Sequence, residues 1–307
     1  IIGSEHVMVD HVSASWSMDE TLSVTKSAHV TVQHSIIAES LDDSYHPEGA
    51  HGYGSLVRGT GERGYTFWRN LWAHHERRSP GFGGQQDPPP PGEPGQGLDL
   101  DLVNNVIYDW GLLPSHTLSE PYQLRVNLEG NTYVRGPSSV VPFVLFNIEA
   151  TADELTVHRS GNVFDDDVDG MFDPEPMVDA DAFGAVTWAP DRFEFDRRQP
   201  RVLAAERAYH RVLQSAGASK DRDAVDARIV HQVRTQTGGL IDSQDDVGGW
   251  SIEPSRARAP RDRDADGMSD RWERRRGLDP DDASDRNGHD LHRRLTNLEI
   301  YLAKLAR

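Results

Sequence analysis

Short apolar stretches recur through the first half of the chain, at residues 7–16, 30–37, 65–72, 102–108 and 124–133, separated by polar, glycine-rich segments of uneven length. The stretch 65–72 reads Tyr-Thr-Phe-Trp-Arg-Asn-Leu-Trp and is rich in aromatic residues, as a half-buried strand should be. Such a pattern predicts a solenoid of strands. A parallel β-helix stacks coils of roughly 20 to 25 residues, each burying its apolar face only against the next. The steps from Val7 to Val30 and from Leu102 to Leu124 each fit one coil. Two longer steps carry insertions, 42–61 and 81–97, and the second contains Pro88, Pro89, Pro90 and Pro91, which cannot form a central strand. Both insertions are expected as surface loops beside a groove.

Asn70, Asn105 and Asn131 stand at the same point relative to a following apolar residue. An internal ladder would use them this way, each amide bonding its equivalents above and below; marking turns is the alternative role for asparagine. From about Leu155 the pattern loosens, and the run 165–170 reads as a solvated acidic turn. Two amphipathic helices follow, over 202–215 with Gly217 as a stop and over 224–235 with Asp223 as cap. They are expected to pack on the solenoid and protect its C-terminal edge. The resulting division is 1–165 for the solenoid, 166–255 for the helical extension, and 256–307 for a small terminal module.

A chain of 307 residues can bury one large core and a satellite. It has no cysteine, so no disulfide supports it. A net charge of −18 and a mean hydropathy of −0.64 argue against nucleic acid as a partner, since phosphate binding needs a basic face. No apolar run reaches the length of about 18 residues that spans a membrane, and a monomer is expected. The chain opens Ile1-Ile2-Gly3 with no initiator methionine or secretion signal, which points to missing upstream sequence.

The most informative segment joins strand to basic turn: Asn70-Leu71-Trp72-Ala73-His74-His75-Glu76-Arg77-Arg78-Ser79-Pro80. Pro80 restricts Ser79 to extended conformations and so gives Arg78 a defined direction. Further blocks follow one order along the chain: 10–20 (Asp-His-Val-Ser-Ala-Ser-Trp-Ser-Met-Asp-Glu), 46–55 (His-Pro-Glu-Gly-Ala-His-Gly-Tyr-Gly-Ser), 104–111, 127–133, 223–228 and 248–250. Together they resemble the pectate lyases of polysaccharide lyase family 1, over most of the chain. The resemblance implies an all-β fold, a right-handed parallel β-helix carrying the C-terminal helical extension and the small calcium-loop module. It also implies an N-terminally truncated, secreted or cell-surface protein whose signal peptide and one calcium-ligand aspartate lie upstream.

The same resemblance implies β-elimination from an acidic polysaccharide, polygalacturonate or pectin. Calcium would bridge the uronate carboxylate to the protein and make the C5 proton removable. The arginine of Arg-x-Pro, here Arg78, would take that proton, although a guanidinium ordinarily stays protonated. Arg77 and His75 would bind sugar carboxylates, and Asp19 with Glu20 would ligate calcium. Three departures bear on activity. Ser23 stands where many relatives have a second aspartate, and Gly81 replaces an arginine after the proline. Glu48 stands where relatives carry a substrate-binding lysine; at about 4 Å in a partly screened site, such a reversal exchanges an attraction of about 4 kcal/mol for an equal repulsion. Glu48 would then reach substrate only through a metal ion. The alternative function is a β-helical scaffold that holds glycans without cleaving them, and a chain left inactive by missing upstream coils is a third reading.

The terminal module has its own metal signature. Residues 262–273 match an EF-hand-type loop: Asp262, Asp264, Asp266 and Asp270 at positions one, three, five and nine, Gly267 at the turn, the Met268 carbonyl, and Glu273 as the bidentate closing ligand. It resembles the dockerin-like or thrombospondin type 3-like modules that bind Ca2+. A second loop over 290–295 places arginines where ligands belong and is expected to be inactive.

Overall fold

The computed structural model describes residues 1–59, 61–85, 91–92, 95–118, 122–140, 146–147, 155–177, 186–195, 199–250 and 258–306. The chain forms two compact units, Ile1–Ser251 and Ile252–Arg307. Three of the four prolines at 88–91 lie outside the described residues.

Each apolar stretch of the first unit is two strands broken at a corner. The pairs are β1 (Glu5–Asp10) with β2 (Ser13–Ser15), β4 (Ala28–Gln33) with β5 (Ile36–Ala38), and β7 (Gly61–Trp68) with β8 (Leu71–His75). Next come β10 (Leu98–Val103) with β11 (Val106–Trp110), β13 (Leu124–Glu129) with β14 (Thr132–Val134), and β16 (Leu155–Ser160) with β17 (Val163–Asp165). Short strands complete the coils: β3 (Val24–Thr25), β6 (Leu56–Arg58), β9 (Gly81–Gly83), β12 (Ser115–Thr117) and β15 (Phe146–Asn147). With β18 (Glu175–Pro176) and β19 (Thr187–Trp188), they stack as β1-β4-β7-β10-β13-β16-β19, β2-β5-β8-β11-β14-β17-β18 and β3-β6-β9-β12-β15. Pairing is parallel except between β17 and β18. The chain visits the three sheets in turn, an order consistent with a parallel β-helix.

Stacking register follows the apolar pattern. Val7, Val30, Tyr65, Leu100, Val126 and Val157 lie one above another and face the interior. One expected step is corrected: Leu124 pairs with Leu98, and Leu102 pairs with Leu128. β10 starts earlier than its apolar signal because Asp99 and Asp101 alternate with leucines and are themselves buried, Asp99 against Arg125 and Asp101 against Asn127.

At the corner between the first two sheets, a left-handed residue precedes each ladder position: His34, Arg69, Asn104, Gly130 and Gly161, with φ between 48° and 62°. The asparagines form the ladder. Asn105 Oδ1 accepts from the Asn70 backbone at 2.9 Å, and Asn131 Oδ1 does the same for Asn105. Ser35 continues the row on one side and Asn162, which the pattern did not mark, on the other. Asn105→Ala is expected to cost roughly 2–5 kcal/mol in a urea titration, because it strands the buried Asn70 amide and Phe67 carbonyl. A midpoint unchanged from the native chain would contradict a structural ladder.

The helices are α1 (Ala205–Ser215) and α2 (Ala224–Thr235). α1 begins after the expected Val202 because the Asn104 side chain binds both polar backbone groups of Leu203, at 2.7 and 2.9 Å. α2 starts as expected, with Asp223 accepting from the Asp226 amide at 2.8 Å. Neither helix sits at the C-terminal edge. Tyr209, Val212, Leu213, Ile229, Val230 and Val233 pack on Ile36, Leu71, Val106 and Val134, a stripe along the outer face of the second sheet. That stripe needs cover, which is why β8 is buried on both faces. In the second unit, α3 (Asp270–Arg276) and α4 (Asn297–Leu305) enclose a small core of Met268, Trp272 and Tyr301.

Candidate functional site

The basic turn at the end of β8 is joined to the insertion that precedes β6. Gly54 N donates to Arg77 O at 3.0 Å and Ser55 N to Arg78 O at 2.6 Å, with Tyr53 bridging Arg77. Arg78 is left-handed at φ 64°, and the Ser79–Pro80 bond is cis. Gly81 allows the close approach: a Cβ there would lie 2.8 Å from Arg78 Cγ and 3.0 Å from His116 Nε2. The arginine that the resemblance expects at this position would collide with Arg78.

Arg78 Nη1 pairs with Glu20 Oε1, and its guanidinium lies 4.4 Å from the Tyr53 ring, which Arg77 also covers at 4.8 Å. Burial, above other causes, raises the Tyr53 hydroxyl, keeping that ring a neutral platform. The other face of the cluster is imidazole. His51 lies 4.0 Å from Tyr53 and stacks on His46 at 4.0 Å, and both histidines face Asp19. Glu48, on the exposed rim, places Oε2 3.9 Å from His51 Nδ1. The fold therefore gathers Asp19, Glu20, Glu48, Arg77 and Arg78 around Tyr53, His46 and His51.

His75 is not among them. It is 1% exposed, its Nε2 donates to Ile37 O at 2.9 Å and its Nδ1 accepts from Ser40 Oγ at 2.7 Å. Burial pushes it down to about 3, so it stays neutral. A neutral, enclosed imidazole cannot bind a sugar carboxylate, and this corrects the expected role. His116, which the sequence did not single out, is buried beneath Arg78; burial, with the arginine charges adding, lowers it to about 4.

Calcium takes about six to eight oxygen ligands. Around Asp19 stand two imidazoles, while Glu20 is held by Arg78. Asp19 and Glu20 do not by themselves supply that number, and they take different partners here.

The 262–273 loop does fit. Asp262, Asp264 and Asp266 group their carboxylates, and Asp266 groups with Glu273 and Asp285. Glu273 is fully buried, and among the described residues neither of its carboxylate oxygens accepts a hydrogen bond. Burial first, and then repulsion from Asp266, Asp264 and Asp285, raise it to about 7. Asp270 lies outside both groups because its carboxylate accepts from the Arg263 amide at 2.8 Å and faces Arg261, Arg263 and Arg274. Asp285 takes the place expected for it; lying beyond the twelve-residue motif, it carries no sequence signal of its own. Met268 fills the small core, its side chain fully buried.

No family model matches the chain. A protein of Aspergillus flavus named "Probable pectate lyase C" is 30% identical over 289 residues, 92% of this chain and 62% of that protein. Namesakes from Aspergillus oryzae and Aspergillus fumigatus are each 30% identical over 289 residues, covering 92% and 91% of this chain. The chain is similar to proteins named pectate lyase. It spans 62% of the length of the first of these relatives and 61% of the Aspergillus fumigatus one. Two solved pectate lyases are also similar. A thermostable one has a TM-score of 0.47 at 13% identity, covering 72% of this chain and 54% of its own. One bound to a hexasaccharide has a TM-score of 0.45 at 13% identity, covering 72% and 63%.

Proposed function

We propose that this protein is a polysaccharide lyase that cleaves pectate or polygalacturonate by β-elimination. The observation that carries the reading is the position of Arg78, tied to the insertion loop through its carbonyl and flanked by Tyr53, Arg77 and Glu20. The names of relatives that match 92% of the chain favour this over a scaffold that only binds glycans. In the reaction Arg78 takes the C5 proton, the C5–H electrons form the C4–C5 double bond, and the C4–O glycosidic bond leaves with its pair. Arg77 supplies positive charge for the uronate carboxylate in a chain whose net charge is −18. A protonated guanidinium accepts no proton, so Arg78 must leave Glu20 and give up its own proton to solvent before it takes the one at C5. The coil is read as right-handed, as crossovers between parallel strands are, and the protein as secreted or cell-surface.

The terminal loop is read as a calcium site formed by Asp262, Asp264, Asp266, Glu273 and Asp285, with a structural role. The lyase reading is tested by incubating the full chain with polygalacturonate and following the ultraviolet absorbance of the unsaturated product. Absorbance is expected to rise steadily, and a flat trace across a range of divalent cations would overturn the proposal.

A further inference from the structure

The donor set around Asp19 has a meaning of its own. His46 and His51 come from the insertion before β6, and Asp19 from the segment between β2 and β3. His51 Nε2 lies 3.3 Å from Asp19 Oδ1 and His46 Nε2 3.8 Å from Oδ2. All three ligand atoms fall within 4.8 Å of one another. Asp19 Oδ1 is buried and accepts no hydrogen bond among the described residues. The His51–Asp19 separation matches the edge of a tetrahedron, and the His46 separation is wider by about half an ångström. Metal–ligand bonds of about 2.0–2.1 Å at tetrahedral angles put neighbouring donors about 3.3–3.4 Å apart.

We propose that Asp19, His46 and His51 form a three-ligand site for a d-block dication of the zinc class, with a fourth position open to an anionic oxygen ligand. Imidazole suits such ions, whereas calcium requires oxygen. Glu48 fits the outer position: its carboxylate, 3.9 Å from His51 Nδ1, favours the tautomer that leaves Nε2 free for the metal. This gives a use to the charge reversal at residue 48. His46 needs a tautomer change, since its Nδ1 accepts from the Glu48 amide at 3.2 Å. Metal uptake moves that proton from Nε2 to Nδ1 and gives up one peripheral hydrogen bond. The site shares the Tyr53 ring with Arg78. The proposal rests on donor atoms alone and does not depend on the lyase reading.

The test uses Co(II) as a spectroscopic probe on the metal-stripped full chain, with excess calcium present to occupy the terminal loop. One equivalent of Co(II) is expected to produce an intense visible ligand-field band, which Zn(II) removes. His46→Gln, His51→Gln and Asp19→Asn are each expected to weaken Co(II) binding by about tenfold or more, with circular dichroism confirming the fold. If His51→Gln does not fold, Asp19→Asn provides the same reading from a half-exposed position. No band, a band unchanged in the His46→Gln/His51→Gln double variant, or loss of the band to calcium would overturn the site.

Discussion

Arg78→Ala is expected to lower the rate of unsaturated product formation by about a thousandfold, within the range of about 10²–10⁴ that a positioned base contributes. Folding should be little affected. The backbone bonds that hold the turn run through the carbonyls of Arg77 and Arg78, and these survive the substitution. Arg78→Lys separates two roles. A lysine keeps the charge but loses the planar fork, so activity near native in that variant would make residue 78 a carboxylate anchor and remove it as base. Glu20→Gln supplies the second arm. The variant frees Arg78 from its ion pair, and the rate of unsaturated product formation is expected to rise. An unchanged rate would show that the Glu20 pair does not restrain the base.

Calcium is expected to raise the melting temperature of the 252–307 unit by on the order of 10–20 °C. Calcium at a hundred times its dissociation constant stabilises a folded unit by about 2.7 kcal/mol, and small units shift by about 4–8 °C per kcal/mol. Glu273 makes the effect large. Without metal, a fully buried carboxylate faces Asp266 and Asp285 with no donor on either oxygen among the described residues. Glu273→Gln should therefore abolish the calcium response while raising the metal-free melting temperature, because it removes the repulsion together with the ligand. Equal melting in calcium and chelator, read by scanning calorimetry on the full chain, would refute the metal site.

Much of this architecture was legible in the chain. The apolar spacing located five strand pairs, the asparagines indicated the ladder, and the six-position loop motif pointed to the acidic cluster now seen around Glu273. Misreadings fell where the outcome depended on coils far apart in sequence. His75 reads as an accessible ligand beside the arginines, but Ile37 and Ser40 of the preceding coil close over it. Asn162 and Asp285 belong to their clusters by stacking and by chain return, neither of which leaves a local pattern.

Sequence by itself determined which face of each strand is buried, since apolar residues alternate along it, and it determined the presence of Arg78 at the end of a constrained strand, while the step between coils varies from Val7–Val30 to the longer Val30–Tyr65. Tertiary structure alone decided the company Arg78 keeps. Glu20 lies 58 residues away and yet pairs with it, because successive coils bring such distant segments together. Asp19 likewise meets His46 and His51, which no linear pattern joins to it. Which donors meet is set by the register between coils and the path of the loops, and a linear pattern carries neither.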